Sequence, residues 1–233
     1  MKGALGQGNM AQGDADKLFS QLETFARYGF NKSHAAAYAV LTYRTAWLKQ
    51  EYPIYYMSAL LNASSNKSDG IDKRKYVNDC LLNNMKVYAP DINKSELTVV
   101  PEDGGIRCNL SMIRGVDGVS EKIIAERKEN GEHTSFVDCI TRLSKVGVNK
   151  TSLEALINSG SMDSIGNRDQ MAHYGWDLLQ SVRKKQKREE GFASILDDDE
   201  LDIPDMSSAP TLDKKVKDSM SVKYLELYSL EDK

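Results

Sequence analysis

The sequence predicts a mainly α-helical protein with one small β-hairpin, and three observations carry that prediction. From Asp14 to Met85, apolar residues recur at three- and four-residue spacing, the mark of helices with one buried face. The period then changes: "SELTVVPEDGGIRCNL" holds two short apolar runs around an Asp-Gly-Gly turn. From Ser111 to Gly166 short helical patterns alternate with glycine-bearing turns.

The elements follow in order. The first 13 residues are Gly-rich and aperiodic. Asp14–Tyr28 reads as a helix with Leu18, Leu22, Phe25 and Ala26 on one face and Asp14 or Asp16 near its cap. A break at "YGFNKS" leads into a helix from about Ser33 to Tyr52, stopped by Pro53, which has no amide hydrogen to continue it. Ile54–Asn62 and Ile71–Met85 are further helices, separated by the loop "NASSNKSDG". The hairpin is expected to pair Leu97–Val100 with Ile106–Asn109. Arg168–Glu190 is a helix ending in the basic run "RKKQKREE". Residues 191–210 turn acidic and rich in Ser and Pro, the composition of a linker, and an amphipathic helix at about Leu212–Tyr228 closes the chain.

Composition narrows the function. No stretch approaches the roughly 18 apolar residues of a membrane span, and the N-terminus has no secretory core. A cytoplasmic protein without membrane contact is expected. Cys80, Cys108 and Cys139 form no CxxC pair, and His34, His133 and His173 are scattered, so partly buried thiols and no metal site are expected. From Glu189 onward the chain holds 13 acidic and 5 basic residues; the preceding part holds 21 and 26. A mildly basic body beside an acidic tail suits nucleic-acid contact by the body.

Two stretches carry chemistry. "RYGFNKSHAAAYAVLTYRTAWLKQEYP" places Asn31, Lys32, Ser33 and His34 at a helix N-terminus, where amides and dipole favour an anion. Ala35, Ala36 and Ala37 thin one surface of that helix, so a neighbour can approach its backbone; the plain alternative is a packed helix with an ordinary cap. "MIRGVDGVSEKIIAERK" reads as a helix-hairpin-helix: a helix ends at Ile113, a turn runs through Gly115, Val116, Asp117 and Gly118, and a helix starts near Ser120. Glycines bare the turn amides, which with the next helix's dipole form a nest for a DNA phosphate. Arg114 and Lys122 flank it, while the Asp117 carboxylate opposes it unless turned away. A weaker second copy lies at "VGVNKTSLEALINSG", with Val148, Asn149 and Lys150 as hairpin. Paired hairpins can hold phosphates on both strands of a duplex.

These residues closely resemble a known family. "YGFNKSHAAAYAVLTYRTAWLKQEYP" is similar to the fingers of the bacterial C-family replicative polymerases, the DNA polymerase III α subunits. "VYAPDINKSE", the hairpin, "IRGVDGVSEKII" and "LEALINSGSMDSIG" follow in that family's order, over about Lys2 to Tyr228. The resemblance implies that residues 1–62 are the C-terminal part of the fingers and 63–96 a helical connector. It makes 97–168 the β-hairpin plus a tandem helix-hairpin-helix DNA-binding domain, and 169–190 a helix. An acidic linker (191–211) and a C-terminal helix (212–233) complete the chain.

It places Asn31, Lys32, Ser33, His34, Arg27 and Arg44 on the nucleotide and template side. Arg114, Gly115, Val116, Asp117, Gly118, Val119 and Lys122, with Asn149, Lys150 and Thr151, fall at duplex DNA; the second hairpin has a smaller share because its turn glycines are missing. Phe192, Ser194, Ile195 and Leu196 stand where the family carries a sliding-clamp-binding peptide, here without the leading glutamine and the closing aromatic.

The carboxylates that hold two metal ions for nucleotidyl transfer lie in the family's palm, and no segment here matches it. Asp197, Asp198, Asp199 and Glu200 sit in the linker and read as solvated charge. The expectation is a polymerase part with no catalytic or cofactor residues of its own, inactive alone, whose Mg2+ and palm belong to the remaining α-subunit portion. Two alternatives stand beside it: a free-standing, non-catalytic DNA-binding or clamp regulator, and a module whose hairpins touch only protein.

Overall fold

The computed structural model describes residues 10–28, 31–64, 71–190 and 208–225. The chain divides into two compact units, 1–53 and 54–233. In the first unit, α1 spans Gln12–Tyr28 and α2 spans Lys32–Glu51. Asn31 caps α2: its carboxamide oxygen accepts from the amides of Ser33 at 2.9 Å and His34 at 3.4 Å. The close packing expected of the alanine face is not made among the described residues. α2 buries none of its side chains among the described residues, and its Tyr38, Tyr43 and Trp47 stand exposed.

At the boundary α3 (Pro53–Ser64) begins with proline, which suits a first helical position, and in the second unit it sends Met57 and Leu61 into the core. Then come α4 (Ile71–Leu82), β1 (Lys86–Tyr88), β2 (Val100–Glu102) and β3 (Gly105–Arg107). A 3-10 turn at Leu110–Met112 leads to α5 (Asp117–Asn130), α6 (Phe136–Val146), α7 (Lys150–Asn158), α8 (Arg168–Glu190) and α9 (Lys214–Leu225). α6 buries Phe136, Cys139, Ile140 and Leu143, a helical stripe. That stripe meets Ile92, Ile106, Leu110, Ile113, Ile123 and Leu156 in one apolar core.

The hairpin differs from its expected register. Val100 pairs with Arg107 and Glu102 with Gly105, so the first strand starts three residues later than Leu97 and includes Pro101. A proline is tolerated there because β2 is an edge strand in the order β1-β3-β2. The third strand, β1, pairs parallel to β3. Gly105 allows that approach, since a Cβ on it would lie 2.1 Å from the Lys86 carbonyl oxygen. Arg107 closes the sheet: its guanidinium binds both carboxylate oxygens of Glu102, donates to the Ala89 carbonyl at 2.7 Å and lies over the Tyr88 ring. That hydrogen-bonded pairing holds the Glu102 carboxyl below its ordinary pKa.

Two asparagines tie loops to the body. Asn62 exchanges a reciprocal pair of hydrogen bonds with the backbone of Val99, and Asn93 does the same with His133. The three cysteines are fully buried rather than partly so, and burial pushes the Cys108 thiol up to about 12. Among the described residues no helix is long and apolar enough to cross a membrane.

His133, in the connection between α5 and α6, is 2 % exposed, and among the described residues neither ring nitrogen has a hydrogen-bond partner. Glu126 comes no nearer than 3.9 Å, and Arg142, Arg127 and Asp138 also act on the ring. Burial first, then the positive field of Arg142, lowers its pKa. As pH falls through about 6.5, the unfolded chain therefore binds a proton before the folded one. Stability is complete above that pH and declines below it, until the folded-state pKa is passed, by at most about 1.4 kcal/mol per pH unit. Urea midpoints at pH 7.5 and 5.5 are expected to differ in the wild type, and the His133→Phe variant to show a smaller difference. An equal pH dependence in both would show that His133 titrates normally.

Candidate nucleic-acid interface

The geometry begins at Gly115. Its φ of +91° is a left-handed conformation that favours glycine, and it turns the chain from the 3-10 segment into α5. α5 starts at Asp117, three residues before the expected Ser120, so Asp117 and Gly118 lie in its first turn rather than in the hairpin. Among the described residues the amides of Gly115, Asp117 and Gly118 make no backbone hydrogen bond. Asp117 and Gly118 are orphan donors of a helix start, and Gly115 precedes its cap, Val116. Val116 and Val119 are buried, and their amides bond to Ile113 and Val116 carbonyls, so these two positions serve the core.

The second hairpin does possess its glycine. α6 ends at Gly147, whose φ of +84° and amide bond to the Leu143 carbonyl form a left-handed C-cap. Val148 is fully buried, and Asn149 caps α7 by accepting from the Ser152 amide at 2.9 Å. The Ser152 hydroxyl then donates to the Gly115 carbonyl at 2.7 Å, locking one hairpin to the other. Gly115, Asp117, Gly118, Val119 and Lys122 from the first hairpin line a single groove of about 360 Å³ with Val146, Gly147, Asn149 and Ser152 from the second.

This groove has a particular electrostatic character. It holds one acid, Asp117, and one base, Lys122, both exposed. An acidic side chain in a helix's first turn is favoured by the dipole, which accounts for Asp117 without a ligand. Arg114 and Thr151 are exposed at its margin, and Lys150 lies 5.7 Å from the Trp176 ring and 3.9 Å from Glu154. Most nearby arginines serve the fold. Arg127 binds the Ile92 carbonyl and Glu96, and Arg142 binds both oxygens of Glu126 and the Gly131 carbonyl. The groove's side chains therefore bring no net charge, and its polar character comes from backbone amides as well as from Asp117, Lys122, Asn149 and Ser152.

The other predicted residues lie on the first unit or outside the described residues. Asn31, Lys32, Ser33, His34 and Arg44 are exposed on the first unit, and Asn31 already occupies the amides of Ser33 and His34. The Arg27 side chain lies outside the described residues, as do Phe192, Ser194, Ile195 and Leu196. Among the described residues no cluster of His, Cys, Asp and Glu is arranged for a metal ion. Sequence reasoning missed Gly147 and Ser152. The Gly-x-Asn pattern before α7 was the available signal for the first; Ser152 gave none, because its bond reaches back 37 residues.

Comparison with known proteins agrees with this geometry. A family described as helix-hairpin-helix motif matches residues 84–171. The DNA polymerase III subunit alpha of Neisseria meningitidis serogroup B is 40% identical over 166 residues, 70% of this chain and 14% of that protein. The protein of the same name from Deinococcus radiodurans is 39% identical over 170 residues, 72% of this chain and 13% of its own length. That of Thermus aquaticus is 35% identical over 205 residues, 86% and 16% respectively. The matches therefore span about one-seventh of these relatives. The chain is a homologue of a segment of the DNA polymerase III alpha subunit family, and it carries a helix-hairpin-helix motif within that segment.

Proposed function

We propose that this chain is the duplex-gripping part of a polymerase III alpha subunit, acting in DNA replication beside a portion that holds the catalytic carboxylates and their Mg2+. The observation that carries this reading is the shared groove: two hairpins, locked by the Ser152–Gly115 hydrogen bond, line it together, and Gly115, Asp117 and Gly118 bring to it amides that make no backbone hydrogen bond among the described residues. Such amides position a sugar–phosphate backbone without reading bases. In the same reading residues 1–62 supply part of the fingers, on the nucleotide and template side. Ser194, Ile195 and Leu196 supply a clamp-binding peptide that offers an apolar pair to a pocket.

Fluorescence anisotropy of labelled duplex and single-stranded DNA, titrated at several salt concentrations, tests the proposal. Duplex is expected to bind more tightly and to weaken as salt rises, through counterion release. Lys122→Gln is expected to weaken duplex binding several-fold for every sequence and to lower the salt slope by about one. Absence of duplex binding at low salt would overturn the duplex grip. An unchanged slope in the variant would remove Lys122 from the contact.

A further inference from the structure

The groove's own side chains nearly cancel in charge, so a duplex grip needs cations from elsewhere in the second unit. α8 supplies them at the second hairpin. Arg183 donates to the Val148 carbonyl at 2.5 Å, in the turn between Gly147 and Asn149. One turn on, the Gln186 amide nitrogen donates to the Thr141 carbonyl and its oxygen accepts from the Ser144 hydroxyl at 2.9 Å. These two contacts fix the rotation of α8 about its axis. Arg183 and Gln186 face the hairpin domain, and Lys184 and Lys187, each one residue further, share an adjacent exposed face. Lys145, exposed, immediately precedes the hairpin turn, and Lys150 follows it.

From this arrangement we infer that the C-terminal half of α8 is a second phosphate-contact surface, which carries the backbone of a bound duplex beyond the hairpin groove. Lys184 and Lys187 make its contacts, and Lys145 at the hairpin edge joins the two surfaces. The inference rests on the duplex-binding reading above. Helix-dipole compensation alone would be served by the last-turn residues Lys187 and Arg188. Lys184 lies before that turn and is held beside the hairpin by its neighbour's bond to Val148. The glutamates that end the helix, Glu189 and Glu190, follow the lysines in sequence. Three residues of helix advance about 4.5 Å, a length over which one strand of duplex DNA carries between one and two charges at one per roughly 3.4 Å. Two lysines on one face therefore suffice for the phosphates of the strand they would meet.

The full-length chain tests this in the same duplex titration. The double substitution Lys184→Gln/Lys187→Gln is expected to weaken duplex binding by about tenfold at ~0.1 M salt and to lower the salt slope by about two. Lys184→Arg/Lys187→Arg should bind like the wild type, since both carry the charge. Arg74→Gln/Lys75→Gln removes the same charge from exposed positions on α4 and is expected to have little effect. If the α8 and α4 variants bind equally well while Lys122→Gln still weakens binding, the α8 surface is overturned and the hairpin grip stands. If the wild type fails to bind duplex, both fall together.

Discussion

Arg142→Ala is expected to destabilise the helix-hairpin-helix unit by about 3 kcal/mol or more, the usual cost of removing one partner from a largely buried ion pair. Arg142 donates to Glu126 at 2.6 and 2.9 Å, to the Gly131 carbonyl at 2.7 Å and to the Glu132 carbonyl at 3.2 Å. It also meets Asp138 at 3.4 Å. The side chains of Arg142 and Glu126 are 13% and 11% exposed, so the alanine variant leaves a carboxylate with little access to water. The same guanidinium joins the end of α5, the connection after it and α6, which are the helices that deliver the two hairpins. Burial raises the Asp138 pKa, but the Thr134 amide and Arg142 outweigh it and hold the carboxyl below its ordinary value. Arg142→Lys is expected to recover only a minor part of the loss, because an ammonium cannot make the bidentate fork. Urea unfolding followed by circular dichroism gives the difference; a loss under about 1 kcal/mol would show that the network carries little of the stability.

Gly115→Val should act on binding and stability at once. A side chain at a φ of +91° costs about 1–2 kcal/mol from backbone strain alone, and a β-branched one more. Crowding adds little, since the new Cβ would meet Thr151 Cγ2 at 3.7 Å and Ala155 Cβ at 3.9 Å, ordinary contacts. The turn is expected to shift, the Ser152 hydroxyl to lose the Gly115 carbonyl, and duplex affinity to fall at least about tenfold, near 1.4 kcal/mol. Gly118→Ala supplies the contrast. Gly118 sits in the first turn of α5 with nothing within 4 Å of a Cβ, so alanine is expected to be neutral or to stabilise by up to about 1 kcal/mol. Wild-type affinity in Gly115→Val would remove the first hairpin from DNA contact.

These two glycines also show what the sequence made legible. A Gly-x-x-Gly stretch announced a tight turn before a helix, yet spacing does not say which glycine takes the left-handed conformation. Only Gly115 does, because Asp117 and Gly118 already follow the helix. The long helices were readable because their boundaries depend on local chemistry, such as Asn31 capping α2 and Pro53 opening α3. The sheet was harder. β1 has three residues and exists because Gly105, 19 positions after Lys86, lets the strands approach. Such a pairing leaves no local periodicity. At the first candidate site an ordinary cap stood beside the anion reading, whereas at the second Asn149 was read as hairpin and not as a cap. Asn31 and Asn149 spend their side-chain oxygens on their own helices.

The three cysteines have a consequence for kinetics. Cys80, Cys108 and Cys139 lie in α4, beyond β3 and in α6, and each is at most 1% exposed. Only a thiolate reacts readily, and burial disfavours it at Cys108 and Cys139. An alkylating reagent can therefore reach these sulfurs only when their surroundings open. The chain carries its own set of clocks: the labelling rate of each thiol reports how often the helical connector, the sheet or the hairpin helices come apart, without any probe being added.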